Sequence, residues 1–233
     1  MRRIAIASGK GGVGRTTLTA NLGVALAKLK KKVLLMDAGF TTPDLGLFFK
    51  LEGVLYTLND VLSGHLSPED AMYDGPFGLK VMPLGTTPEH MKKANPANYP
   101  AVVKKIDGFD FILIDAPAGV KREAVAALRS AEEVIFVTLP ETVSISDTLK
   151  SVAVADLLGL KKTGVVVNRI KGEDYEVPSD EIGKILDLPI LAEIPNDRGV
   201  EKAGAIGKLF YLTSPNKPAS KVLTRLARRL CEH

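Results

Sequence analysis

Gly9-Lys10-Gly11-Gly12-Val13-Gly14-Arg15-Thr16 places glycines, cations and a hydroxyl in one short run. Glycines let a backbone curl and bring its N–H groups against an oxyanion without side-chain interference. The spacing matches the phosphate-binding pattern G-x-x-x-x-G-K-[ST] at every fixed position but one: Arg15 stands where the pattern has lysine. Such a loop holds nucleoside phosphates, and the Thr16 hydroxyl suits a magnesium ion. Two aspartates extend the constellation. Asp37 and Asp115 each end an apolar run, over 32–37 and 110–115. A carboxylate at a strand end beside a phosphate loop suits the water shell of Mg²⁺. Asp115 alone would read as a turn or capping aspartate; beside the loop it reads as metal-linked. Asp37 leaves both readings open, because aspartate is also common in plain turns.

These groups need elements to place them. Residues 2–8 form a short apolar run expected as a buried strand, and 16–30 carry Leu18, Leu22, Ala25, Leu26 and Leu29 at helical spacing. The loop therefore lies where a strand feeds a helix, and the helix N-terminus favours an anion. Further strands are expected at 32–37, 78–83, 110–115, 133–139, 163–168 and 189–194. Most are continuous apolar runs, as for strands covered on both faces. Helices are expected at 57–62, 69–72, 99–106, 122–129, 144–158, 179–186 and 219–231. Ser67-Pro68-Glu69-Asp70 reads as a helix start, with a cap hydroxyl and proline in the first turn. No long linker, repeat or low-complexity tract interrupts the pattern. The expectation over 1–233 is one doubly wound, mostly parallel α/β domain with helices on both faces and its ligand at the strands' carboxyl ends.

Composition narrows the classes. A hydrophobic content of 45% supports a full globular core. No apolar run is long enough to span a bilayer and no signal-peptide pattern opens the sequence. The single cysteine, Cys231, excludes an intramolecular disulfide and a cysteine cluster within one chain, so cytoplasm is the expected compartment. A net charge of +4 permits contact with anionic lipid or nucleic acid without demanding it.

The segment Lys10-Gly11-Gly12-Val13-Gly14-Arg15-Thr16-Thr17 resembles the deviant phosphate loop of the MinD/ParA ATPases, K-G-G-x-G-K-[ST]. The similarity continues through Ile112-Leu113-Ile114-Asp115-Ala116-Pro117-Ala118-Gly119, Val166-Val167-Asn168-Arg169 and Ile194-Pro195-Asn196-Asp197. It covers nearly the whole chain, and archaeal MinD-like proteins are the nearest in pattern. The resemblance implies a P-loop NTPase that binds ATP or ADP with Mg²⁺. It implies that Lys10 reaches across a dimer to the partner's phosphates and that Gly11, Gly12, Val13, Gly14, Arg15, Thr16 and Thr17 cradle phosphate. It also implies Thr16 and Asp115 at the metal, and Asn168, Arg169, Pro195 and Asp197 around adenine. With Lys10, the residues expected to act in turnover are Arg15 and Asp37. In the resembled family two subunits sandwich two ATP molecules and part after hydrolysis. That cycle times attachment to a membrane, DNA or a protein partner, with cell-division placement as the family's theme.

Two departures bear on turnover. Arg15 replaces a compact ammonium with a wide planar guanidinium that is harder to fit inside a curled loop. Gly39 stands where the family has the second carboxylate of Asp-x-Asp, which positions the attacking water. Asp37 keeps the first, and Asp44 follows five residues after Gly39. Phosphoryl transfer rests on positioning and charge stabilisation, so both changes act against it. The expected activity is an ATP-dependent switch with impaired hydrolysis. The alternative is a non-hydrolysing pseudo-ATPase that scaffolds a partner or regulates an active relative.

Other classes fit less well. Iron–sulfur carriers of the wider family need paired cysteines, and only Cys231 exists. Lys30-Lys31-Lys32 and Lys161-Lys162 each precede an expected strand and read as solvated turns, so nucleic-acid binding is not expected. The segment 221–230 puts Val222, Leu223, Leu226 and Leu230 on one stripe, with Lys221, Arg225, Arg228 and Arg229 mostly away from it. That pattern fits a last helix packed on the sheet, with peripheral contact at the inner face of the cell membrane as the alternative. His65, His90 and His233 lack ligand spacing and read as surface residues; Ser144 and Ser146 read as helix-start residues.

Overall fold

Strands and helices alternate along the chain because apolar runs of strand length alternate with apolar stripes of helical period. The structure, a computed structural model, describes residues 1–93 and 95–232. The first half comprises β1 (Arg2–Ala7), α1 (Arg15–Lys28), β2 (Val33–Asp37), α2 (Leu58–Leu62), β3 (Tyr73–Asp74), β4 (Lys80–Met82), α3 (Pro88–Lys93) and α4 (Tyr99–Lys105). It continues with β5 (Phe111–Asp115), α5 (Arg122–Arg129), β6 (Glu133–Thr138), α6 (Thr142–Leu157) and β7 (Lys161–Ile170). The chain closes with α7 (Ser179–Leu186), β8 (Ile190–Pro195), α8 (Arg198–Ala205), α9 (Phe210–Thr213) and α10 (Pro218–Cys231).

The strands form one sheet in the order β3-β4-β2-β5-β1-β6-β7-β8. All neighbours are parallel except β3 and β4. Consecutive β5 and β6 lie on opposite sides of β1, so the connection through α5 passes over it. A crevice therefore opens beyond the carboxyl end of β1, where the strand order reverses. The register sets Asp37 of β2 opposite Asp115 of β5, and Asp115 beside Ile6 of β1. Three strand ends thus deliver the phosphate loop and both aspartates to one edge of the sheet.

A buried apolar layer covers each face. One holds Leu22 and Leu26 of α1 with Leu223 and Leu226 of α10. The other holds Leu58, Tyr99, Leu128, Ile145 and Ile182 from helices across the sheet. Helix α1 is buried along Leu18 to Ala27, which explains its largely apolar surface: sheet lies on one side and α10 on the other. The stripe Val222, Leu223, Leu226 and Leu230 is likewise inside, while Lys221, Arg225, Arg228 and Arg229 face water. Among the described residues no helix is long and apolar enough to cross a membrane.

The structure adds elements that the pattern does not announce. β3 is two residues long and antiparallel, too short to show a period. The strand expected at 78–83 begins only at Lys80, because Phe77 and Gly78 take left-handed backbone conformations in a turn. Pro88–Lys93, Arg198–Ala205 and Phe210–Thr213 are helices the sequence reading left as connections. Lys161 and Lys162 lie in β7 itself and not in a turn before it. His65 is exposed, His90 is half-buried with Nδ1 3.0 Å from the Thr87 hydroxyl, and His233 lies outside the described residues. Ser144 is buried in the first turn of α6, where its hydroxyl accepts Leu139 N at 3.0 Å. Ser146 is exposed.

Candidate functional site

The loop joins β1 to α1 through backbone shapes that only glycine takes easily. Gly14, the residue before α1, has φ +94°, and Gly12 has φ +79°. Gly9 serves a different need. A Cβ there would lie 2.0 Å from the Asp147 carbonyl carbon, so the loop start packs directly on α6. Val13 is buried and anchors the loop, while Gly11 and Gly12 are exposed. The first amides of α1 have no helical partner and no acidic side chain in the first turn, leaving that positive end free for an anion.

The cradle opens on a cleft of about 710 Å³. Gly11, Gly12, Gly14, Arg15, Thr16 and Thr17 form its floor, and Asp115, Ala116, Pro117 and Ala118 one wall. Gly39, Thr42 and Asp44 form another. Thr16 and Asp115 both line the cleft, and Thr19 donates to Asp115 Oδ1 at 3.3 Å. Burial pushes Asp115 up to about 6, against the pull of Arg15, Thr16 and Thr19. A hydroxyl and a carboxylate facing a phosphate cradle form a hard-oxygen donor set that fits Mg²⁺. The metal would neutralise the charge that burial makes costly.

Asp37 ends β2 opposite Asp115, as its position in the sequence leads one to expect. It is buried, and both carboxylate oxygens accept backbone N–H groups: Gly39 N to Oδ1 at 2.8 Å and Leu45 N to Oδ2 at 3.1 Å. Burial, then the Asp115 charge, pushes it up to about 7, opposed by those two amides. Asp37 thus staples the segment 39–45 shut beside the cleft.

Arg15 does not extend freely over the cradle. Its Nη1 donates to the Ser8 hydroxyl at 3.0 Å, and that hydroxyl donates to the Lys10 carbonyl at 2.7 Å. Its Nε is buried without a hydrogen-bond partner. Burial lowers the guanidinium pKa, while Asp115 and Asp37 raise it. Lys10 is exposed, with Nζ 4.0 Å from Glu141 at the start of α6.

Beyond the loop, Asn168, Arg169, Pro195 and Asp197 come together around a second hollow of about 330 Å³, which also meets Gly14 and Thr17. Asn168 Nδ2 donates to the Val13 carbonyl at 2.7 Å, and its Oδ1 accepts Arg169 N at 3.0 Å. Arg169 takes a left-handed φ of 59° at the bend. Asp197 caps α8 by accepting Gly199 N at 2.7 Å. Of the expected site residues, Gly11, Gly12, Gly14, Arg15, Thr16, Thr17 and Asp115 line the cleft, and Asn168, Arg169, Pro195 and Asp197 the adjoining hollow, whereas Lys10, Val13 and Asp37 line neither. Sequence reading missed the far wall, Leu47, Phe48 and Gly204 to Gly207, because those positions carry no charge pattern or motif.

A family model described as ParA, NUBPL iron-transfer P-loop NTPase, matches residues 1–231. An uncharacterized ATP-binding protein of Methanocaldococcus jannaschii is 42% identical over 228 residues, 97% of this chain and 86% of that protein. The septum site-determining protein MinD from Pyrococcus horikoshii, solved with Mg-ADP, is 38% identical with a TM-score of 0.93, covering 98% of this chain and 95% of that one. The MinC:MinD cell division protein complex of Aquifex aeolicus gives 33% identity and a TM-score of 0.89, over 100% of this chain and 96% of that one. The iron transfer in the family description finds no cysteine pair here: Cys231 is the single cysteine and lies at the end of α10.

Proposed function

The chain belongs to the ParA family of P-loop NTPases, and from that premise we propose that it is a MinD-like switch that binds Mg·ATP and turns it over slowly. The observation that carries this is the open cradle at the end of β1, with Thr16 and Asp115 facing it across one cleft. Phosphates would lie on the loop amides, Mg²⁺ on the Thr16 hydroxyl with Asp115 beside it, and the base in the hollow bounded by Asn168, Arg169, Pro195 and Asp197. The Mg-ADP in the Pyrococcus relative supports that ligand class. Slow turnover follows from Arg15 held at Ser8 and from the missing carboxylate at Gly39.

Lys10 is exposed and held only by a long, exposed contact with Glu141, so it would be able to meet the phosphates of a second copy docked face to face. That arrangement makes ATP the glue of a homodimer. The Aquifex MinC:MinD complex supports a further protein partner, whose position such a dimer would control. Membrane contact through α10 would use only its basic face, because its apolar stripe is inside. The second reading, a pseudo-ATPase scaffold, is favoured by the same Arg15–Ser8 contact, which leaves the loop cation already engaged. Light scattering coupled to size-exclusion separates them: the switch dimerises with ATP and reverts over time, and the scaffold ignores ATP or stays locked by it.

A further inference from the structure

Gly39 lacks the carboxylate with which the resembled family positions water, but the same segment offers another. Asp44 is exposed on the cleft wall, in company with Gly39, Thr42, Thr16 and Asp115. It occupies the residue before the 3₁₀ turn Leu45–Phe49, where an aspartate ordinarily accepts a backbone N–H. Here it does not. The side chain makes no cap hydrogen bond, and no hydrogen bond or ion pair engages it among the described residues. The turn is held instead by the Asp44 carbonyl, which accepts Leu47 N at 3.3 Å. The carboxylate is therefore not used by the fold.

Its placement is specified nonetheless. Asp44 lines the same cleft as Arg15, Thr16 and Asp115, and its negative charge adds to what raises Asp37 and Asp115. Asp37 fastens the adjoining Leu45 and, through its other oxygen, Gly39. That closure depends on glycine. A Cβ on Gly39 would stand 2.9 Å from the Thr42 carbonyl oxygen and 3.1 Å from Asp37 Oδ1. Absence of a side chain at 39 and presentation of a carboxylate at 44 are two results of one loop geometry.

We propose that Asp44 is the water-orienting carboxylate of this site, standing in for the one absent at Gly39. The assignment rests on the ATP-binding reading above. Asp44 accepts a hydrogen bond from a water in line with the γ-phosphate. The water oxygen bonds to the γ-phosphorus as the bond to the β–γ bridging oxygen breaks. The bridging oxygen leaves on ADP with the electron pair. One water proton stays on the released phosphate, and the other passes by way of Asp44 to solvent.

The test uses the unaltered chain, Asp44→Asn and Asp44→Glu, each loaded with Mg²⁺ and α-labelled ATP and freed of unbound label. Conversion of bound ATP to ADP is followed, and affinities for ADP and for ADP with aluminium fluoride, a mimic of the in-line transition state, are measured. Asp44→Asn should hold ATP and ADP as the unaltered chain does. It should convert bound ATP about tenfold or more slowly and lose the extra affinity for the fluoride mimic. Asp44→Glu should recover part of both. Equal conversion and equal mimic affinity in Asp44→Asn overturn the assignment, as does loss of ATP and ADP retention in that variant. An unaltered chain that keeps ATP and never converts it overturns the role of Asp44 but leaves ATP binding standing. A chain that keeps no ATP removes both.

Discussion

Arg15 Nη1 donates to the Ser8 hydroxyl over 3.0 Å, tying the cation of the phosphate loop to the end of the strand that feeds it. The contact is a single hydrogen bond, and the neighbouring Nε is buried without a partner, a burden that a lysine would not carry. The tether competes with phosphate for the guanidinium. Arg15→Lys should therefore raise both ATP retention and turnover, by about tenfold each. Ser8→Ala should raise retention alone, since it frees the guanidinium without changing its shape. Equilibrium binding of labelled ATP and steady-state phosphate release measure the two effects.

Asn168 ties the loop to the end of β7. Its Nδ2 reaches the Val13 carbonyl at 2.7 Å and would stand 2.6 Å from a Cβ on Gly14. Gly14→Ala meets that contact and a φ of +94° together, so it should cost about 2 kcal/mol or more of stability and abolish nucleotide retention. Asn168→Ala should leave the fold intact within about 1–2 kcal/mol while weakening ATP binding roughly tenfold. Thermal melts with and without Mg·ATP check both.

Restoring the family carboxylate is not a simple addition. The 2.9 Å approach of Thr42 O to a Cβ at 39 means that Gly39→Asp must displace the turn that Asp37 closes. Alone it should lower stability by about 1–2 kcal/mol, a fall of several degrees in Tm, without raising turnover. Combined with Arg15→Lys it should give more turnover than Gly39→Asp alone. The increment over Arg15→Lys reports how far the turn can yield. Phosphate release and melting of the three variants check this.

Far from the cleft, Arg2 grips Glu133 with two contacts of 2.7 Å, joining β1 to β6. The Arg2 hydrogen bond, then Thr163, holds the Glu133 carboxyl down at about 2 against the cost of burial. A depressed carboxylate stabilises the fold above its unfolded pKa and loses that contribution as pH falls through the folded value. The contribution is full above about pH 4.5 and fades toward pH 2. With solvent screening it amounts to about 1–2 kcal/mol. Glu133→Gln should therefore melt lower than the unaltered chain at pH 7, with the gap closing as pH drops below about 4.5. Melting curves from pH 7 to pH 3 measure the gap.

Much of this was legible in the sequence where a pattern is local. The apolar runs ending in Asp37 and Asp115 are the strands β2 and β5, and Arg122–Arg129 and Ser179–Leu186 are helices at the expected residues. The short strand Tyr73–Asp74 exists only because β4 pairs with it, a non-local cause that no window of residues contains. Helix α8 was missed because its apolar content is low and its start depends on the Asp197 cap. At the site, residue types named the participants but not their partners. Asp37 reads either as a residue of turnover or as a turn aspartate, and its two backbone contacts appear only once the segment 39–45 folds back upon it. Arg15 read as a misfit in the cradle, and its partner Ser8 lies in the preceding strand end, a relation set by the curl of the loop.

The most direct test is the fate of bound nucleotide. The purified chain is mixed with Mg²⁺ and α-labelled ATP, free label is removed, and the bound species is resolved over time. Label should be retained, with ATP persisting and converting to ADP slowly. Failure to retain label, or phosphate release at the pace of an ATPase that carries both the loop lysine and the second aspartate, would contradict the proposed slow switch.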